Sequence, residues 1–226
     1  MTRATNSRIA GLTFLFYIAA GVLSTVLFGR AAGGDGIAER LAGIAQHTTE
    51  MRVVVVLGPL EALCALVLAV TLYAITREQD PDLAMLGLVC RVGEGVIGAS
   101  IPVTLALLWL ATASGTNAPD TGTARALAAF LLRLNASGTL ISASFFAVGS
   151  TFFSWLLLQG RMIPVTLAWI GVGGSVLLVA CLPLQLAGFL GGPFTSLMWI
   201  PIAVFEVVFA VWLLVKGVAP ARRQST

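Results

Sequence analysis

The sequence predicts an all-α fold: a polytopic membrane bundle of six transmembrane helices, in one domain over residues 1–226. Three observations predict it. Of 226 residues, 58% are hydrophobic and only 10% charged, and the mean hydropathy is +0.97. A soluble domain carries about 25% charged residues, so this much apolar surface requires lipid as a second solvent. Six apolar runs each approach or exceed the ~20 helical residues that cross a hydrocarbon core. The stretches between them hold most of the charges and the loop glycines and prolines.

The first run covers residues 9–28. Arg3 and Arg8 precede it as in a signal peptide, but it exceeds the ~7–15 apolar residues of such a segment. An uncleaved first span is therefore expected. Residues 29–50 are polar, with Ile37, Leu41 and Ile44 spaced among charges, which predicts a short interfacial helix between the first two spans. The second span is residues 53–75. A charged turn with Pro81 then leads to the third, residues 83–110, so these two spans should be antiparallel neighbours. Residues 112–123 are rich in Gly, Ser, Thr, Asn and Pro and read as a linker.

The fourth apolar segment runs over residues 124–158, too long for one straight crossing. Its span is placed at 130–158, with Arg125 and Arg133 at the interface and a bend expected near Asn135–Gly138. Pro164 suits the first turn of the fifth span, residues 165–187. The sixth is residues 197–215, followed by Lys216, Arg222 and Arg223. Arg3, Arg8, Arg77, Arg161, Lys216, Arg222 and Arg223 fall on the side of both termini. Arg30, Arg40, Arg52 and Arg125 fall on the other, with Arg133 ambiguous. That bias places both termini in the cytoplasm of a bacterial cell, with the chain in its inner membrane. The net charge of +3, carried at span ends, suits lipid headgroups as partners and not nucleic acid.

Four ionisable residues lie well inside these spans: Glu61, Arg91, Glu94 and Glu206. A charge in hydrocarbon costs from ~2.5 to over ~10 kcal/mol, so such groups must pair, face a wet cavity or be neutral. At about 1.5 Å per residue, Arg91 lies roughly 12 Å, Glu206 roughly 14 Å, Glu94 roughly 17 Å and Glu61 roughly 20 Å from the terminal side. They are expected to cluster as a ligand- or proton-binding group. Arg91 and Glu94, three apart, share a helix face with Gly87 and Gly98, which lets another helix come close. One arginine among three glutamates leaves excess negative charge, so at least one carboxyl is expected to hold a proton.

Several runs also resemble a known family. They are Arg8-Ile-Ala-Gly-Leu, Cys90-Arg91-Val92-Gly93-Glu94, Phe145-Phe146, and Trp155 to Gly160 with Met162-Ile163-Pro164. The last runs from Glu206 to Ala210, then Trp212 to Gly217. In order and spacing they are similar to the bacterial integral membrane proteins of domain-of-unknown-function family 4386, over about residues 8–217. The resemblance implies a helical inner-membrane protein with no assigned activity. It also implies an arginine–glutamate pair at Arg91 and Glu94 and an acidic residue where Glu206 sits.

The residue inventory narrows the chemistry. His47 is the only histidine and lies in the polar connection, so bis-His haem and three-His zinc are excluded. No lysine lies inside a span, which argues against an internal Schiff base. Cys64, Cys90 and Cys181 read as small packing residues, and Ser137, Ser142, Ser144 and Ser150 as helix-interface residues. Trp109, Trp155, Trp169, Trp199 and Trp212 read as interfacial anchors. Pro59 and Pro102 would kink spans beside the charges, and Arg133 with Asn135 could meet an anionic headgroup. No catalytic residue, metal or cofactor is assigned.

Three functions remain: binding or transport of a small amphiphilic or cationic molecule, carboxylate acid/base catalysis on a lipid-soluble substrate, or a structural role without ligand. A path to both aqueous sides would favour transport, a cavity open to one leaflet the enzyme, and a dry ion-pair core the structural role. A homo-oligomer is compatible with all three.

Overall fold

The computed structural model describes residues 2–99, 101–114 and 118–220; Arg222 and Arg223 lie outside them. Among the described residues there are nine helical segments and no strand. They are α1 (Arg3–Ala31), α2 (Ile37–Gln46), α3 (Thr48–Thr76), α4 (Pro81–Gly98), α5 (Ile101–Thr112), α6 (Thr121–Gln159), α7 (Val165–Leu186), α8 (Phe194–Leu197) and α9 (Ile200–Val215). Six units are long and apolar enough to cross a membrane: α1, α3, α4 with α5, α6, α7, and α8 with α9.

Helices run past the apolar segments that announce them. α1 starts at Arg3, where Thr2 accepts a hydrogen bond from the Thr5 amide and caps the first turn. Polar residues 5–8 stay helical because the interface does not penalise polar side chains. α3 likewise starts at Thr48, so the polar connection shrinks to α2 and its flanks. The third span is divided. α4 ends at Gly98 and α5 begins at Ile101, just ahead of Pro102. Pro102 has no amide with which to bond back to Gly98, and it sits in the first turn of α5, where no such bond is needed. α6 runs for 39 residues as one continuous helix, through Asn135–Gly138. α3 also continues through Pro59.

The spans form a ring. α1 packs on α3, α3 on α4, α4 on α6, α6 on α7 and α7 on α9, and α9 closes the circle against α1. Glycines set several of these seams. A Cβ on Gly11 would lie 2.7 Å from the Ala210 carbonyl of α9. Gly87 meets Phe153 and Gly98 meets Ser142, so the glycine face of α4 does receive α6 closely.

Both described chain ends lie on one face. Arg3 Nη2 is 2.6 Å from Glu78 Oε2 in the α3–α4 turn. The Ala219 amide donates to the Met162 carbonyl in the α6–α7 turn over 2.9 Å. This is the terminal face. On the opposite face α2 folds over the ends of α1, α5 and α6. Ile44 and Met51 are fully buried there against a cluster holding Ala31, Leu107 and Ala128. A larger aromatic and aliphatic core fills the terminal half, around Phe14, Leu72, Phe153, Phe205 and Phe209.

Candidate functional site

The ring encloses a cavity of about 570 Å³. α1 lines it from Tyr17 to Gly29, α3 from Val54 to Ala65, and α4 only from Glu94 to Gly98. α6 lines it from Asn135 to Phe146, and α9 through Glu206 with Trp199 just before its start. α1 and α4 run away from the terminal face, while α3, α6 and α9 run towards it. The contributing stretches therefore reach from the middle of the bundle, at Tyr17, Phe146 and Glu206, into the half remote from the termini.

Glu61, Glu94 and Glu206 all line this cavity, from three different helices. Arg91 does not. It lies beneath the floor, beside a void of about 10 Å³ that it shares with Glu206, Phe14 and Phe205. The pocket expected from sequence to be lined by all four residues thus separates into an acidic wall and a buried cation. The reason is aromatic. The Arg91 guanidinium carbon sits 5.1 Å from the Phe146 ring centre, 5.6 Å from Tyr17 and 5.8 Å from Phe14. Three ring faces attract a cation, and α6 passes so close that a Cβ on Gly149 would touch Arg91 Cγ at 3.2 Å. Phe205 and Phe209 stack at 5.1 Å, and Phe14 meets Phe209 edge-on at 5.8 Å, which completes the plug below.

Glu94 is tied on both oxygens. Oε1 accepts a hydrogen bond from Tyr17 Oη at 2.5 Å. Oε2 lies 2.9 Å from Arg91 Nη1. That second contact is close in distance but not aligned as a hydrogen bond, since both atoms, with Arg91 Nε and Nη2, lack a hydrogen-bond partner among the described residues. It is a charge contact, nearly sealed from the exterior, with Arg91 1% and Glu94 3% exposed. Glu61 and Glu206 are looser. Each is half-buried, and each keeps one buried Oε1 with no hydrogen-bond partner among the described residues.

The remaining expectations sort clearly. Ser142 donates to the Glu94 carbonyl and bridges α6 to α4, an interface role. His47 breaks the chain between α2 and α3 with Nδ1 3.0 Å from the Gly43 carbonyl, and is not part of the cavity lining. Asn135 lines the cavity while Arg133 is exposed. Trp199, read as an interfacial anchor, instead lines the cavity and stacks on Phe146 at 6.4 Å. Tyr17 was not singled out from the sequence. Its signal is one of only two tyrosines placed mid-span, where a hydroxyl needs a partner.

No curated protein and no solved structure matches the chain. A family model does, the one described as Domain of unknown function (DUF4386), over residues 9–217. With that match spanning nearly the whole sequence and six apolar helices closing into a ring, the chain belongs to the DUF4386 family of membrane proteins.

Proposed function

We propose that this protein binds a small amphiphilic cation in the acid-lined cavity. The observation that carries the reading is the separation of charges. Three carboxyls face the cavity, and the one guanidinium among them is withdrawn under its floor. A site so arranged favours a positive ligand. At about 570 Å³ the cavity falls within the ~300–1,000 Å³ usual for small-molecule sites. Tyr17, Phe28, Phe146 and Trp199 add ring faces for the apolar body of the ligand or for its charge. Ser24, Thr25, Asn135 and Thr139 add polar groups to the lining.

The membrane in this reading is the bacterial inner membrane, with both termini in the cytoplasm. What supports that orientation is the sequence count of seven basic residues on the side of the termini against four or five on the other. The cavity would then face the periplasm. Phe14, Phe205 and Phe209 pack as an aromatic plug below the cavity, so binding is proposed ahead of transport. A transport role would require the plug to open.

The test uses the full chain in lipid nanodiscs, titrated calorimetrically with an n-alkyltrimethylammonium and with an n-alkyl sulfate of equal length. The cation should bind and the sulfate should not, and Glu61→Gln should weaken the cation about tenfold. Equal binding of both probes would remove the reading.

A second reading has one observation in its favour. A cavity that reaches from mid-depth into the half remote from the termini also suits an enzyme that admits a lipid-soluble substrate from one leaflet and uses Glu61 or Glu206 as acid or base. Conversion of an extracted membrane lipid by the purified protein, lost in Glu206→Gln, would establish it.

A further inference from the structure

The three cavity carboxyls are not equivalent, and the difference bears on what the ligand looks like. Glu94 is already engaged, by the Tyr17 hydroxyl on one oxygen and by Arg91 on the other. It is also the most buried of the three, at 3% exposed, and no part of it is free to move without breaking both contacts. Glu61 and Glu206 have no ion-pair contact among the described residues, and each turns a partnerless buried oxygen into the structure. With Arg91 in contact with Glu94, Glu61 and Glu206 are left without an ion-pair contact among the described residues.

Their placement is specific. Glu61 is on α3 and Glu206 on α9, the two helices that flank α1 in the ring. The wall between them is the inner stripe of α1, where Tyr17 and Gly21 face the cavity. Gly21 presents no side chain, and a Cβ there would stand 4.0 Å from Glu61 Oε2. The stripe between the two carboxyls therefore offers a ring face and bare backbone, a surface for methylenes and not for a third charge. Helices packed on a common neighbour each sit about 8–10 Å from its axis, so the two carboxyls approach the cavity from opposite sides of α1.

We infer that the ligand is a diamine-type amphiphile, with two cationic nitrogens joined by an apolar spacer, one nitrogen held by Glu61 and the other by Glu206. The inference rests on the amphiphilic-cation reading above and names the class of cation. Glu94 is a positioning residue in this scheme. It ties α1 to α4 through Tyr17 and holds Arg91 against its own second oxygen, below the cavity floor.

The test is a chain-length series in nanodiscs with the full chain. Straight α,ω-diaminoalkanes of three to ten methylenes are titrated beside the n-alkylamines of matching length. The diamine should bind at least tenfold tighter than its monoamine at one intermediate length, with the advantage falling on either side. In Glu61→Gln, and separately in Glu206→Gln, the diamine should bind only as well as the monoamine binds the unaltered protein. A diamine that never exceeds its monoamine, or an advantage that merely grows with length, overturns the inference and leaves the amphiphilic-cation reading standing. Failure of both amine classes to bind overturns both. The series on the unaltered protein decides the matter even if a variant fails to fold.

Discussion

Tyr17 on α1 donates its hydroxyl proton to Glu94 on α4, two helices that both pack on α3 and are linked across it by this bond. The phenol also offers its ring to Arg91, the partner of the same carboxyl. One side chain thus serves both members of the ion pair. Tyr17→Phe keeps the ring and removes the donor. It should cost about 1–3 kcal/mol of stability, the price of a buried carboxyl oxygen left without its hydrogen bond. Reversible unfolding in mixed micelles measures this, and an unchanged midpoint would show that the bond contributes nothing.

Arg91 should tolerate neither removal nor replacement by lysine. Removing one member of a buried pair costs about 3–5 kcal/mol, so Arg91→Ala should be severely destabilised. Arg91→Lys retains the charge but loses the flat group that lies among three rings, which should cost about 1–2 kcal/mol. The double variant Arg91→Met with Glu94→Gln removes both charges and should recover most of the loss. If the double variant is no more stable than Arg91→Ala, the pair is not what makes Arg91 necessary.

Two glycines should respond in opposite directions to the same substitution. At Gly11 a Cβ would stand 2.7 Å from the Ala210 carbonyl and 2.9 Å from the Leu214 amide nitrogen, both backbone atoms of α9. The helices must separate, and Gly11→Ala should cost about 1–3 kcal/mol as overpacking does. At Gly138, inside α6, a Cβ would meet nothing within 4 Å. Gly138→Ala should gain about 0.5–1 kcal/mol from the flexibility removed in the unfolded chain. Thermal midpoints of the two variants side by side make the comparison.

Asp120 caps α6, accepting hydrogen bonds from the Thr123 hydroxyl and from the Gly122 and Thr123 amides. These bonds, the Thr123 hydroxyl first, hold its carboxyl below the usual carboxylate range. A depressed acid stabilises the folded form in its ionised state. The cap is therefore intact above the ordinary carboxylate pKa and lost as pH falls through the lowered value. Hydrogen exchange at the first amides of α6 should accelerate, relative to neighbouring helices, only in strongly acid solution. Asp120→Asn should show no such acid step.

Residues added to the terminal-face turns should label together. Gln79→Cys in the α3–α4 turn and Gly217→Cys after α9 lie on the face where Arg3 meets Glu78 and Ala219 meets Met162. A membrane-impermeant maleimide applied to intact cells should reach neither, and should reach both in inverted vesicles. Labelling of both from outside would invert the proposed orientation.

The six crossings were legible because lipid imposes length and apolarity on each span, and both are written in the linear chain. Helix ends were not, since Arg3 to Arg8 and Thr48 to Arg52 carry helix through polar residues that hydropathy alone excludes. Glu61, Glu94 and Glu206 reach one cavity, with Arg91 against Glu94 beneath it. The side to which Arg91 points could not be foretold, because Phe14 and Phe146 come from α1 and α6 and meet it only in the assembled ring. Trp199 misled for a related reason. A tryptophan at a span end suits the interface, and nothing local shows that it faces inward.

The closure of α9 against α1 has a consequence for biogenesis. The two helices are the first and last of the ring in chain order, so the α1–α9 seam joins its elements of greatest sequence separation. Glu206 arrives with that last span. Until then the cavity lacks its Trp199 and Glu206 wall and one of its three carboxyls.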